Sequence, residues 1–240
     1  MPVLTNDIRV MTSGAFTAAY LELIPQLERI TGKNLITLTT SVGTGESSIP
    51  RRLKRGEIAD VVIVADALLK TFIQDGLVLA EPYAPLVRSA IGMAVRFGAP
   101  APEIGTVEAL KQTLLKAESI AYSASVSGRY LTTELYQRLG IAEQVAGKSR
   151  LIGKGERVGA VIARGEAEIG FQQVSELLPV SGIAHITPLP PEVQKISVFS
   201  AGIAASTTNP DLARLVISFL ASPEATHAIT KSGLEPINSR

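Results

Sequence analysis

Three short segments of this chain carry the same chemical signature: Thr12-Ser13-Gly14, Ser41-Val42-Gly43-Thr44 and Ser123-Ala124-Ser125-Val126-Ser127-Gly128. Each follows a stretch that reads as a β-strand and precedes one that reads as a helix. A helix start presents backbone N–H groups without partners and a partial positive charge. Small hydroxyl residues and glycine let an anion come close and add O–H donors, which makes a place for phosphate, an oxyanion or a carboxylate. Ordinary N-capping by Ser and Thr is the plainer account of any one loop. Three such loops in one chain leave both readings open.

None of the three is a nucleotide loop. No Gly-Lys-Ser/Thr follows the glycines, and Gly43-Thr44-Gly45 is too short for the Gly-x-Gly-x-x-Gly signature. A serine hydrolase has equally little support. Ser13 lacks a Gly-x-Ser-x-Gly elbow, and the two histidines, His185 and His227, read as structural or solvated. The basic residues near the loops carry more. Arg51 and Arg52 follow the second loop and read as a solvated helix face. Arg88 lies near a proline-marked break, Arg129 and Arg157 begin or precede helices, and Lys154-Gly155-Glu156-Arg157 is another turn leading into a helix. A planar guanidinium pairs bidentately with a carboxylate, so Arg beside hydroxyl loops suits a polycarboxylate better than a bare metal oxyanion. A surface ion pair is the alternative for each Arg. Gln172, where Phe171-Gln172-Gln173-Val174-Ser175-Glu176 passes from strand to helix, either hydrogen-bonds a ligand or simply starts the helix.

Composition narrows the class further. Lys and Arg number 23 against 22 Asp and Glu in 240 residues, a net charge of +1. No field exists for a duplex or an anionic membrane, so anion selectivity must be local. With 0 Cys and 2 His, thiol nucleophiles, disulfides and the usual zinc sites are excluded, and neither a metal nor a cofactor is expected. Trp is absent and aromatics are 5%, which argues against stacking surfaces for sugars or bases. No stretch nears the ~18 uninterrupted apolar residues of a membrane span. The opening residues lack the basic and apolar regions of a leader, which leaves either a cytosolic protein or one whose leader has been removed. At 46% hydrophobic residues, the chain can bury a full core.

The elements that must position the loops follow from periodicity. Ile8–Met11 reads as a strand. Ala19, Leu23, Leu27 and Ile30 keep helical spacing up to Gly32. Residues 34–40 alternate as a strand, 49–55 read as a helix, and Asp60–Ala65 is the apolar run of a strand buried on both faces. Strands thus alternate with helices, the mark of an α/β fold with a mostly parallel sheet. A second such set runs from residue 90 to 171. Breaks are expected at Ala80–Pro85 and at Thr187–Val193. They divide the chain into a discontinuous lobe of residues 1–85 plus 195–240 and a second lobe of 86–194. A ligand cleft is expected between the lobes.

Four stretches carry a family resemblance: Thr12-Ser13-Gly14-Ala15, Ala59–Asp66, Arg164–Gly170, and Phe219–Ala225 before Ser232-Gly233-Leu234-Glu235-Pro236. With them the chain resembles, over nearly its whole length, the substrate-binding proteins of molybdate-type ABC importers. The resemblance implies a type II periplasmic-binding-protein fold: two α/β lobes, each a mostly parallel sheet flanked by helices, joined by two hinge crossings. It also implies a periplasmic location with a removed leader and a small anionic ligand. The loops depart from the molybdate pattern. The second is lengthened by Gly-Thr-Gly-Glu, Gln172-Gln173 stands near the expected Tyr, and Arg88 and Arg157 are additions. These changed loops are similar to the branch of the superfamily that includes aconitate isomerase. That similarity implies interconversion of trans- and cis-aconitate by an allylic proton shift, with a base tuned toward pH 7. Position alone offers Lys154, Glu156 and Tyr122 for the base. The alternative is a non-catalytic receptor that passes molybdate or a small organic carboxylate to an ABC importer permease. Neither reading involves nucleic acid or membrane insertion.

Overall fold

The computed structural model describes residues 7–38, 45–153 and 156–237. In chain order they form β1 (Ile8–Thr12), α1 (Gly14–Thr31), β2 (Leu35–Leu38), α2 (Ile49–Lys54), β3 (Val61–Ala65), α3 (Asp66–Gln74), β4 (Val78–Ser89) and β5 (Ile91–Arg96). There follow α4 (Val107–Lys116), β6 (Ile120–Ser123), α5 (Val126–Tyr130), α6 (Tyr136–Arg138), α7 (Ala142–Ala146), β7 (Ser149–Ile152) and α8 (Val158–Ala163). The last are β8 (Ile169–Gln173), α9 (Val174–Leu177), β9 (Ile183–Pro188), β10 (Ser197–Ala204), α10 (Pro210–Leu220), α11 (Thr226–Lys231) and β11 (Glu235–Pro236). A π-helical turn, Leu131–Leu135, joins α5 to α6. None of these helices is long and apolar enough to cross a membrane.

Two compact units result. One runs through Arg88 and resumes at Val198; the other is Ser89–Ser197. The first holds a sheet of order β2-β1-β3-β10-β4-β11. In it β1 is parallel to β2 and β3, whereas β10 is antiparallel to β3 and β11 to β4. The second holds β7-β6-β8-β5-β9, with β6 parallel to β7 and β8, and β5 antiparallel to β8 and β9. Both sheets are therefore mixed, where the sequence suggested mostly parallel ones. Strands linked by helical crossovers run parallel. The strands that bring the chain in from the other unit, β5 and β10, run against them.

A second correction concerns Ala80–Pro85, which is part of the long strand β4 and not a break. On one side β11 pairs only with Val87 and Arg88, which leaves Pro82 and Pro85 along an edge, where sheets tolerate proline.

The cores explain why the strand ends are well fixed. All five residues of β3 are buried, and Val62 and Val64 pack with Met11, Ile49, Leu53, Leu69 and Phe72. In the second unit Ile120, Ile169, Phe171 and Met93 pack on Leu110, Leu114, Leu131 and Leu135. The opposite face of that sheet sets Ala121 and Ile152 against Val158, Val161 and Ile162 of α8. Each such large aliphatic or aromatic side chain contributes about 1.5–3 kcal/mol by leaving water.

Candidate functional site

In the second unit β7, β6 and β8 run parallel, so their carboxyl ends share one sheet edge, the usual place for ligands in α/β sheets. Ser123 pairs with Ile152, and Tyr122 with Phe171. Ser123 and Gln172 thus end neighbouring strands. Strand alternation puts both on the face of Ala121 and Gly170, and puts Tyr122 on the core face with Ile120. Tyr122 packs there, partly buried, against the apolar cluster. Gly170 has a steric purpose. A Cβ on it would lie 2.6 Å from Val158 and 2.8 Å from Ile162, so its absence lets α8 lie directly on β8. That packing brings Arg157, the residue before α8, to the same edge.

The loop after β6 forms a row of hydroxyls. Ser123 Oγ lies 2.7 Å from Ser125 Oγ, which lies 3.1 Å from Ser127 Oγ. The Ser125 N–H also points at Ser123 Oγ, at 3.4 Å. Gly128 makes this geometry possible. A Cβ there would sit 1.8 Å from the Ser123 carbonyl oxygen, so the first turn of α5 can wrap the end of β6 only with glycine. The structure therefore brings Ser123, Ser125, Ser127 and Gly128 together.

Next to this row stands a carboxyl that sequence reasoning passed over. Gln172, 4% exposed, donates its Nε2 to Glu176 Oε1 at 2.9 Å. Burial pushes the Glu176 carboxyl up to about 7, while the Gln172 hydrogen bond and the positive charge of Arg157 pull it down less strongly. Arg157 has no hydrogen-bond or ion-pair partner among the described residues, and its guanidinium is open to an anion. Such a carboxyl exchanges protons near neutral pH, and a guanidinium within its field can hold a carboxylate. The sequence signal was thin. An acidic residue early in a helix reads as a dipole partner, and its distance from Arg157 along the chain hides their proximity.

The first unit has a corresponding edge at the ends of β1 and β3. The Ser13 N–H donates to the Ile63 carbonyl at 2.8 Å, which locks the turn between β1 and the 18-residue α1. Ser13 is 1% exposed and its Oγ has no partner among the described residues. Thr12, also buried, directs its hydroxyl to the Ser13 carbonyl at 3.2 Å, and Gly14 is the first residue of α1. Asp66, at the end of β3, accepts from Ser200 Oγ at 2.7 Å, from Lys70 at 2.8 Å and from the Tyr83 hydroxyl. Burial raises its carboxyl, but these donors together hold it below the usual aspartate range.

Five buried side-chain polar atoms lack a partner among the described residues: Ser13 Oγ, Ser48 Oγ, Gln172 Oε1, Ser175 Oγ and Thr226 Oγ1. Ser13, Ser48 and Ser175 lie at helix starts, Gln172 lies near the carboxyl end of β8, and Thr226 opens α11. Buried polar groups are normally satisfied, since leaving one bare costs about 1–3 kcal/mol.

Two expected residues are placed elsewhere. Arg88 pairs with Glu235 at 3.1 Å on an exposed strand edge. Glu156 is exposed and tied to Arg164, which also holds Glu166 at 2.6 Å. In each case the charged group has a partner at the surface. Ser41, Val42, Gly43, Thr44 and Lys154 lie outside the described residues.

Residues 8–235 match the family of bacterial extracellular solute-binding proteins. The chain belongs to that family. An aconitate isomerase from Pseudomonas sp. is 41% identical over 237 residues, covering 98% of this chain and 89% of that protein. The periplasmic molybdate-binding protein of Azotobacter vinelandii superposes with a TM-score of 0.77 at 17% identity, covering 98% of this chain and 100% of that one. The tungstate-binding protein TupA of Desulfovibrio alaskensis G20 gives 0.66 at 20% identity, over 97% and 100%. At such low identity the last two establish a shared fold and no more. In this solute-binding-family chain, the edge of the second unit carries a hydroxyl row, a guanidinium without a partner among the described residues, and a carboxyl raised by burial.

Proposed function

We propose that this chain is a cofactor-independent isomerase of the bacterial periplasm that interconverts trans- and cis-aconitate. The observation that carries the reading is its 41% identity to an aconitate isomerase across 98% of the chain. The chemistry of the site agrees with it. In the reaction a methylene C–H beside a carboxylate loses its proton, and the electron pair spreads through the adjacent double bond. The proton then returns at the far carbon of the three-carbon unit. The double bond moves, no heavy-atom bond breaks and no electrons leave. The substrate already carries several negative charges and the intermediate adds another, so fixed donors and a cation must meet it. The Ser123, Ser125 and Ser127 hydroxyls and Arg157 of the second unit are donors of that kind.

Purified protein with trans-aconitate in D₂O, followed by ¹H NMR, is expected to produce cis-aconitate and deuterium-labelled product. No conversion at high protein concentration would overturn the reading. The family match supports a second possibility, a non-catalytic receptor. Thermal stabilisation by aconitates, citrate, molybdate or tungstate without turnover is its signature.

A further inference from the structure

We propose that Glu176 is the acid–base group of this isomerisation, with Gln172 as the residue that positions it and Arg157 as the cation that meets the developing charge. The inference rests on the isomerase reading above. Three observations on the second unit point to it. First, Glu176 lies beyond the carboxyl end of β8, beside the strand that ends in the Ser123–Ser127 hydroxyl row. Second, Gln172 fixes one of its oxygens at 2.9 Å, and the other has no protein partner among the described residues. Third, two of the three groups expected in this role, Glu156 and Tyr122, are occupied or turned away. Glu156 is bound to Arg164, and Tyr122 packs on the opposite, apolar face.

The step balances simply. The substrate C–H bond breaks as the Glu176 O–H bond forms, and the electron pair enters the conjugated dienolate. The O–H bond then breaks as the new C–H bond forms at the far carbon. Gln172 can serve both protonation states. Its Nε2 donates to the carboxylate, and its amide, turned over, presents the now unpartnered Oε1 to the carboxylic acid. One carboxyl that removes a proton, exchanges it with solvent and returns one at the far carbon leaves no need for a second base.

The electrostatic setting is compatible with the role. β5, β8, β9 and α8 pack against α9. The ionisable groups they bring are Arg96 on β5, His185 on β9 and Arg157 at the start of α8, and of these Arg157 is the one whose charge acts on Glu176. The near-neutral titration of Glu176 lets it act as base and as acid at similar pH.

The test compares wild type, Glu176→Gln, Glu176→Asp and Gln172→Leu for conversion of trans-aconitate, with thermal stabilisation by trans-aconitate as the binding readout. Wild type should convert its substrate, with kcat/KM rising through a limb near pH 7. Glu176→Gln should lose about 10²–10⁴-fold in kcat while trans-aconitate still stabilises it. Gln172→Leu removes a donor to the carboxylate, so its limb should move to higher pH with a smaller loss of kcat. A folded Glu176→Gln within tenfold of wild type overturns the assignment and leaves the isomerase reading standing. A wild type that binds aconitate without converting it overturns the isomerase reading itself. Should Glu176→Gln fail to fold, the other two variants decide, and a pH limb unmoved in both overturns the proposal.

Discussion

Two carboxyls sit at equivalent junctions of the two units and behave in opposite ways. Asp66 follows β3, which lies between parallel β1 and antiparallel β10; Glu176 follows β8, which lies between parallel β6 and antiparallel β5. Asp66 receives donors from Tyr83, Ser200 and Lys70 and is held low; Glu176 receives one amide and is pushed up to about 7. Topology is alike in the two places, and so is residue type. What differs is how many donors replace the lost water. A carboxyl with every partner supplied by the protein is a structural anchor. One left short of partners keeps its proton exchangeable and its free oxygen available to a ligand.

The largest expected effect that would sharpen this contrast is on Arg157. Arg157→Ala should lower kcat/KM for aconitate by about 10²–10³-fold, as loss of a preorganised charge donor does, with little change in melting temperature. Steady-state kinetics beside a thermal melt checks both halves, and an equally large drop in stability would make Arg157 a scaffold residue. Gly128→Ala attacks the frame of the same unit, because its Cβ would meet the Ser123 carbonyl oxygen. It should cost about 1–3 kcal/mol in urea unfolding and disturb the hydroxyl row.

The two carboxyls should also leave opposite marks on stability as pH changes. Asp66, held below its ordinary 3.8, stabilises the fold above that value and loses this as pH falls through its folded value. Glu176, raised from 4.5 to about 7, contributes most below pH 4.5 and loses this as pH rises through 7. Denaturant titrations from pH 3 to pH 8 should show Asp66→Asn flattening the acid end. Glu176→Gln should flatten the range between 4.5 and 7 and gain on the order of 2 kcal/mol at the alkaline end. Slopes of the same sign for both would break the comparison. The smallest effect is expected at Ser13 in the first unit. Ser13→Ala removes a hydroxyl without a partner among the described residues, so a thermal melt of the free protein should show unchanged stability. A destabilised free protein would mean that Ser13 has a structural partner.

Much of the fold was legible in the chain. The unbroken apolar run Val61–Ala65 can only be a strand covered on both faces, and Leu23 and Leu27 mark the buried stripe of α1. The strand-to-helix turn at Ser123–Ser127 was legible too, since Ser and Gly favour such turns, but its row of mutually bonded hydroxyls was not. Arg88 and Arg157 look alike in sequence, yet one is tied to Glu235 and the other has no partner among the described residues. Pro82 and Pro85 suggested a break because proline removes a donor, and the sheet edge made that loss harmless.

The sequence by itself determined the α/β alternation, the hydroxyl loops and the local character of any anion site. Each depends on neighbours along the chain: periodic apolar residues, helix starts and a charge balance that leaves no global field. Only the tertiary structure decided which strands run antiparallel, that Arg88 and Glu156 are held in surface ion pairs, and that burial raises the Glu176 carboxyl. Those outcomes depend on desolvation and on partners far away in sequence, such as Arg157 to Glu176, and no short-range pattern encodes either.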